Sequence, residues 1–174
     1  LQEEPELASA CVRAMVEAAA PVPVWCKIRI QKTVAETIAY GLRLQSAGCS
    51  LLAVHCRGRP TNHDVFHDTV PDYSHLLPLV DNLQIPVVAN GGIDDAAAAE
   101  HIVATTGCHA AMAATSVLRC PRAFASHVPV ASKTQASLCV ESGCTMAIDV
   151  AREYLELAER FPPPSPLFIS KHLR

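Results

Sequence analysis

Four short stretches of this sequence place polar or cationic residues where an apolar run gives way to a turn, the pattern expected of anion binding. They are Cys26-Lys27-Ile28-Arg29, His55-Cys56-Arg57-Gly58-Arg59, Asn90-Gly91-Gly92 and Ala113-Ala114-Thr115-Ser116. Lys27 interrupts apolar residues, and a buried ammonium without a partner is costly, so it needs a fixed anionic or polar neighbour unless it snorkels to water. A flavin or a phosphate would supply that neighbour. His55 could donate to a carbonyl or phosphate oxygen, and Arg57 and Arg59 carry planar forks suited to phosphate, although a satisfied structural histidine and a solvated loop are the plainer readings. The glycines of Asn90-Gly91-Gly92 would let backbone N–H groups approach a phosphate near a helix start, or would serve a tight turn.

The elements that position these stretches follow from periodicity. Leu7, Ala10, Cys11, Ala14 and Ala18 recur at helical spacing after Pro5, and Val22 to Ile30 reads as a buried strand. Thr33-Val-Ala-Glu36 is a capping box that opens a helix with Val34, Ile38 and Leu42 on one face, stopping at Gly48. The pattern repeats: strand Leu51 to His55, a polar loop, helix Leu76 to Leu83, strand Ile85 to Ala89, a helix over Ala96 to Thr106 capped by Asp94 or Asp95, and strand Ala110 to Ala113. Four βα units of this length suit part of a (β/α)8 barrel or a doubly wound sheet. No Gly-x-Gly-x-x-Gly follows a strand, which favours the half barrel over a dinucleotide-binding domain.

In a barrel the working residues sit at the C-terminal ends of strands, and that rule selects the same four stretches. Beyond them, residues 125–145 read as a Ser/Thr/Pro-rich linker. Ile148, Ala151, Leu155 and Ala158 mark an amphipathic helix broken at Phe161-Pro-Pro-Pro, and a last segment carries Lys171.

Composition bounds the rest. The 174 residues are 50% hydrophobic, enough for one sizeable core with an appendage. A net charge of −3 leaves any nucleic-acid contact to a local basic patch. The eight cysteines include no Cys-x-x-Cys pair, which argues against zinc and for buried small hydrophobes in a reducing compartment. No apolar run reaches the ~20 residues of a membrane helix. A start at Leu1, inside helical pattern, points to a partial chain.

Taken in order, Lys27-Ile28-Arg29, Val54-His55-Cys56-Arg57, Ile85 to Ile93 with its Asn90-Gly91-Gly92, and the Met112 strand followed by Cys120-Pro121 resemble the C-terminal half of the tRNA-dihydrouridine synthase family over residues 1–124. Ala151 to Leu157, the proline-rich break and Lys171-His172-Leu173 resemble the start of the helical domain, residues 146–174, of its eukaryotic 16/17-position branch. The resemblance implies the second half of a (β/α)8 TIM barrel followed by a helical tRNA-binding segment. It further implies an FMN enzyme that uses NADPH or NADH to reduce uridine to 5,6-dihydrouridine in the tRNA D-loop, in the cytoplasm or the nucleus. On that resemblance Lys27, His55, Asn90, Gly91, Gly92, Ala114 and Thr115 fall at cofactor positions, and Arg29, Arg57, Arg59 and Lys171 face RNA. Its catalytic cysteine belongs to a loop upstream of this chain. Ala113 to Ser116 and Cys56 depart from the glycines usual there, so a non-catalytic RNA-binding derivative, or another phosphate-binding barrel flavoenzyme, are the alternative readings.

Overall fold

Parallel pairing of four short strands organises residues 1–115 of the computed structural model, which describes residues 2–58, 70–119, 123–124 and 143–172. The strands are β1 (Trp25–Arg29), β2 (Leu51–His55), β3 (Val87–Asn90) and β4 (Ala110–Met112), and they lie side by side in the order β1-β2-β3-β4. Helices α1 (Pro5–Ala19), α2 (Val34–Ser46), α3 (Leu76–Asn82) and α4 (Ala96–Thr106) alternate with them, and α3 is preceded by a 3-10 turn at Tyr73–His75. The sequence-predicted units are therefore all present. The largest shifts of boundary are at β1, which begins at Trp25 rather than Val22, and at β3, which begins at Val87 rather than Ile85.

Local chemistry explains the helix starts. In α2 the Thr33 hydroxyl accepts from the Glu36 N–H at 3.2 Å while the Glu36 carboxylate accepts from the Thr33 N–H at 3.0 Å, the reciprocal box expected from the sequence. Its chain leaves through Gly48 at φ +99°. Asp95, rather than Asp94, caps α4 by accepting from the Ala98 N–H at 2.8 Å.

All four helices pack on one face of the sheet. The core joins Ile28, Ile30, Leu52, Val54, Cys56, Val87 and Ala89 of the sheet to Ala8 and Val12 of α1, Tyr40 and Leu44 of α2, Leu76 and Leu79 of α3, and Ile102 of α4. The face expected of α2 is displaced: Thr37, Tyr40, Gly41 and Leu44 are buried, while Leu42 is 37% exposed. Gly41 explains the shift, because a Cβ there would lie 3.2–3.3 Å from Leu83, Leu52 and Leu79, so the helix meets its neighbours along its smallest residue. Strand order that never reverses, with every helix on one side, is how consecutive barrel units wind; a doubly wound sheet reverses order and covers both faces. The opposite face carries Trp25, 65% exposed, and Met112, 37% exposed.

Residues 116–174 form a second compact unit. It contains α6 (Gly143–Arg160) and α7 (Pro166–His172), and a short α5 (Thr115–Arg119) runs across the division. Helix α6 ends at Arg160, where Phe161-Pro-Pro-Pro begins. Its Ile148, Leu155 and Leu157 are 46%, 42% and 50% exposed. Residues 143–145 of the expected linker already belong to α6, and the remainder of that linker lies outside the described residues. Among the described residues no helix is long and apolar enough to cross a membrane.

Candidate functional site at the strand ends

Register turns scattered motifs into a row. Arg29 pairs with His55, His55 with Asn90, and Asn90 with Met112. Directly paired residues of parallel strands share a face and stand roughly 4.8 Å apart per strand, so these four side chains line the C-terminal rim of the face opposite the helices. Lys27, Ala53, Val88 and Ala110 form the row beneath. Lys27 is thus one layer below the rim. Partial burial, and then Arg29 beside it, hold its pKa below the ordinary lysine range.

His55 is the centre of this cluster. Burial, and then the positive charges of Arg29, Lys27 and Arg57, push its pKa down to about 4. The Arg57 guanidinium reaches back to it, with Nη1 at 3.1 Å from Nε2. Arg57, expected on a loop facing RNA, is therefore folded against the histidine. Arg29 donates from Nη1 to the Gly58 carbonyl at 2.8 Å, tying β1 to the same loop. The Arg29 backbone N–H and C=O are met by the Gln2 amide at 3.1 and 2.9 Å, so one side chain stands in for a neighbouring strand along β1.

The Asn90-Gly91-Gly92 turn is packed by its own protein. Gly91 at φ +110° and Gly92 at φ +66° need glycine for their backbone conformation. A Cβ on Gly91 would lie 2.9 Å from His55 Cδ2, and one on Gly92 would lie 2.9 Å from Pro71 and 3.1 Å from the Tyr73 hydroxyl. Tyr73 donates to the Gly91 carbonyl at 2.6 Å. Asn90, 6% exposed, spends its side-chain N–H on the Met112 carbonyl at 2.8 Å, locking β3 to β4. The start of α4 is capped by Asp95, and the cationic row beside it adds positive charge for an anionic ligand.

The structure brings Lys27, Arg29, His55, Arg57, Asn90 and Gly91 together. Ala114 and Thr115 follow β4 and are exposed. Arg59 lies outside the described residues, and Lys171 falls in α7, within the second unit. Tyr73 and Gln2 escaped the sequence reading. The signal for Tyr73 was Asp72-x-Ser74, a cap in which Asp72 accepts from the Ser74 N–H at 3.0 Å and so sets the aromatic ring's position; nothing local marked Gln2. Cys56 is fully buried, and burial pushes its thiol up to about 12.

The sequence pattern of the dihydrouridine synthase family (Dus) matches residues 1–162. The chain belongs to the dihydrouridine synthase family. Its relatives include the mouse tRNA-dihydrouridine(16/17) synthase-like protein, 29% identical over 143 residues, which are 82% of this chain and 26% of that protein. The tRNA-dihydrouridine(16) synthase of Escherichia coli K12 is 32% identical over 123 residues, 70% of this chain and 38% of the relative. A tRNA-dihydrouridine synthase-like protein of Caenorhabditis elegans is 29% identical over 158 residues, 89% and 52% of the two chains. The chain thus spans about a quarter to a half of the length of the relatives it matches. Among solved structures, the BexX/CysO complex of Amycolatopsis orientalis covers 64% of the chain at 22% identity with a TM-score of 0.46.

Proposed function

We propose that residues 1–124 supply the second half of a (β/α)8 barrel and hold FMN at the C-terminal ends of its strands, in an enzyme that reduces uridine in the tRNA D-loop to 5,6-dihydrouridine. The observation that carries this reading is the rim Arg29–His55–Asn90 with Lys27 beneath it, at the C-terminal end of the face opposite the described helices. Three cations around a neutral imidazole suit an electron-rich, partly anionic ligand. In this reading Lys27 and His55 donate to the flavin's polar edge, and the turns at Asn90-Gly91-Gly92 and Ala114-Thr115 approach its phosphate. FMN, when bound, supplies the hydride carrier that NADPH or NADH recharges.

The chain's own residues do the rest by position. Lys27 carries positive charge toward the bound ring, and such preorganised charge stabilises electron density arriving on it. Asn90 holds β3 and β4 in register through Met112 and so keeps the rim straight. Arg29 and the loop beyond Arg57, with Arg59, together with Lys171 of the helical segment, face the tRNA. The acid that protonates the uracil ring is a cysteine supplied from outside this chain. Cys56 cannot take its place, since a fully buried thiol held near 12 neither reaches substrate nor gives up its proton at neutral pH.

A non-catalytic RNA-binding derivative is the second reading, favoured by the side chains of Ala114 and Thr115 where a closer backbone approach needs glycine. One experiment separates the two. The complete enzyme is expected to show a flavin absorbance spectrum and, given NADPH and unmodified tRNA, to form dihydrouridine, whereas residues 1–174 alone, without the catalytic cysteine, are expected to form none. Binding of tRNA without flavin would refute the enzyme and support the derivative.

A further inference from the structure

Arg57 sits where its chemistry constrains the histidine more than it serves a distant ligand. A guanidinium has only donors and stays charged at every accessible pH. Its Nη1 lies 3.1 Å from His55 Nε2, a contact that is favourable only if Nε2 presents a lone pair. The single proton of the neutral ring then belongs to Nδ1. We propose that Arg57 is a positioning residue that holds His55 in the Nδ1-protonated tautomer, so that the ring offers a fixed hydrogen-bond donor to an electron-rich atom at the C-terminal rim of the sheet.

Packing supports the same orientation. The ring's Cδ2–Nε2 edge is pressed against Gly91, whose hypothetical Cβ would lie 2.9 Å from Cδ2 and 3.3 Å from Nε2. Nδ1 therefore occupies the edge turned away from the glycine turn. The charges acting on the ring are Arg29 and Lys27 from β1 and Arg57 from the end of β2, all positive. From β3 it meets neutral Asn90 in register, and Tyr73, whose hydroxyl binds Gly91, is neutral too. A second proton would set an imidazolium against three cations. The donor thus keeps its direction and its charge state through the physiological range.

The identity of the acceptor rests on the flavin-binding reading; the tautomer does not. The test labels histidine with 15N in the intact protein and reads the two ring nitrogens by long-range 1H–15N correlation. At pH 7 the parent is expected to show His55 protonated at Nδ1, with a titration midpoint near 4. In Arg57→Met the proton is expected to move largely to Nε2, while the midpoint rises only slightly, because burial, Arg29 and Lys27 still hold it down. Arg57→Lys, which restores a cationic donor, should recover the parent pattern. FMN affinity, followed by flavin fluorescence, should fall roughly tenfold in Arg57→Met, the loss of about one hydrogen bond.

Arg57→Leu, which also lacks a donor, provides the same comparison if Arg57→Met loses its amide dispersion. An Nε2-protonated parent, or a nitrogen pattern unchanged in the variant, would overturn the proposal. A released tautomer with unchanged FMN affinity would overturn the positioning role. A locked tautomer in a parent that binds no FMN would support the Arg57 assignment and refute the flavin reading instead.

Discussion

Tyr73 donates its phenolic hydrogen to the Gly91 carbonyl oxygen at 2.6 Å. The two residues belong to different βα units, one at the start of the 3-10 turn before α3 and the other just beyond β3. Their contact fixes Gly91, which packs against His55, so the shape of the rim depends on a residue outside the four polar stretches. Tyr73→Phe keeps the ring and removes the bond. It is expected to cost about 0.5–1.5 kcal/mol of stability by denaturant unfolding, and to weaken FMN binding. Unchanged stability and unchanged flavin affinity would show the bond to be incidental.

Gly91 faces two penalties at once. Its φ of +110° is unfavourable for any residue with a Cβ, and that atom would meet His55 at 2.9 Å. Gly91→Ala should therefore destabilise the protein by roughly 1–3 kcal/mol and displace the imidazole. Gly58, where an added Cβ meets nothing within 4 Å, is the control: Gly58→Ala should leave the unfolding midpoint nearly unchanged.

Lys27 should matter more to ligand than to fold. It is exposed, one row beneath the rim, and desolvation with Arg29 nearby already disfavours its charged form. Lys27→Ala is expected to reduce FMN affinity by about 1.5–3 kcal/mol, the range of a charge-assisted hydrogen bond, with little loss of stability. Equal flavin occupancy in the two proteins would remove Lys27 from the site.

The pH dependence has a definite sign. His55 titrates near 4 in the folded chain against about 6.5 when unfolded, so between these values the unfolded state binds more protons. Its contribution is fully present above about pH 6.5 and is lost as pH falls through 6.5 toward 4. Unfolding midpoints of His55→Gln should accordingly fall less than those of the parent over that window. Parallel curves for the two proteins would contradict the depressed value.

Much of this protein is written in local chemistry. The capping box of Thr33 and Glu36, the Pro5 helix start, strand β2 from Leu51 to His55 and the span of α4 depend on near neighbours, and each stands where the sequence places it. His55 at a strand end and the Gly91-Gly92 turn are legible for the same reason. Register is a different matter, because pairing Arg29 with His55 and His55 with Asn90 depends on how three strands, separated by whole helices, stack their side chains. The tertiary structure alone decided that Arg57 turns back onto His55, that Asn90 serves Met112, and that Tyr73 holds Gly91. A side chain's partner is set by what the fold brings within about 3 Å of it, and hydrogen bonds lose their worth within a few tenths of an ångström beyond that. Residue type and spacing place the donors; only packing chooses their acceptors.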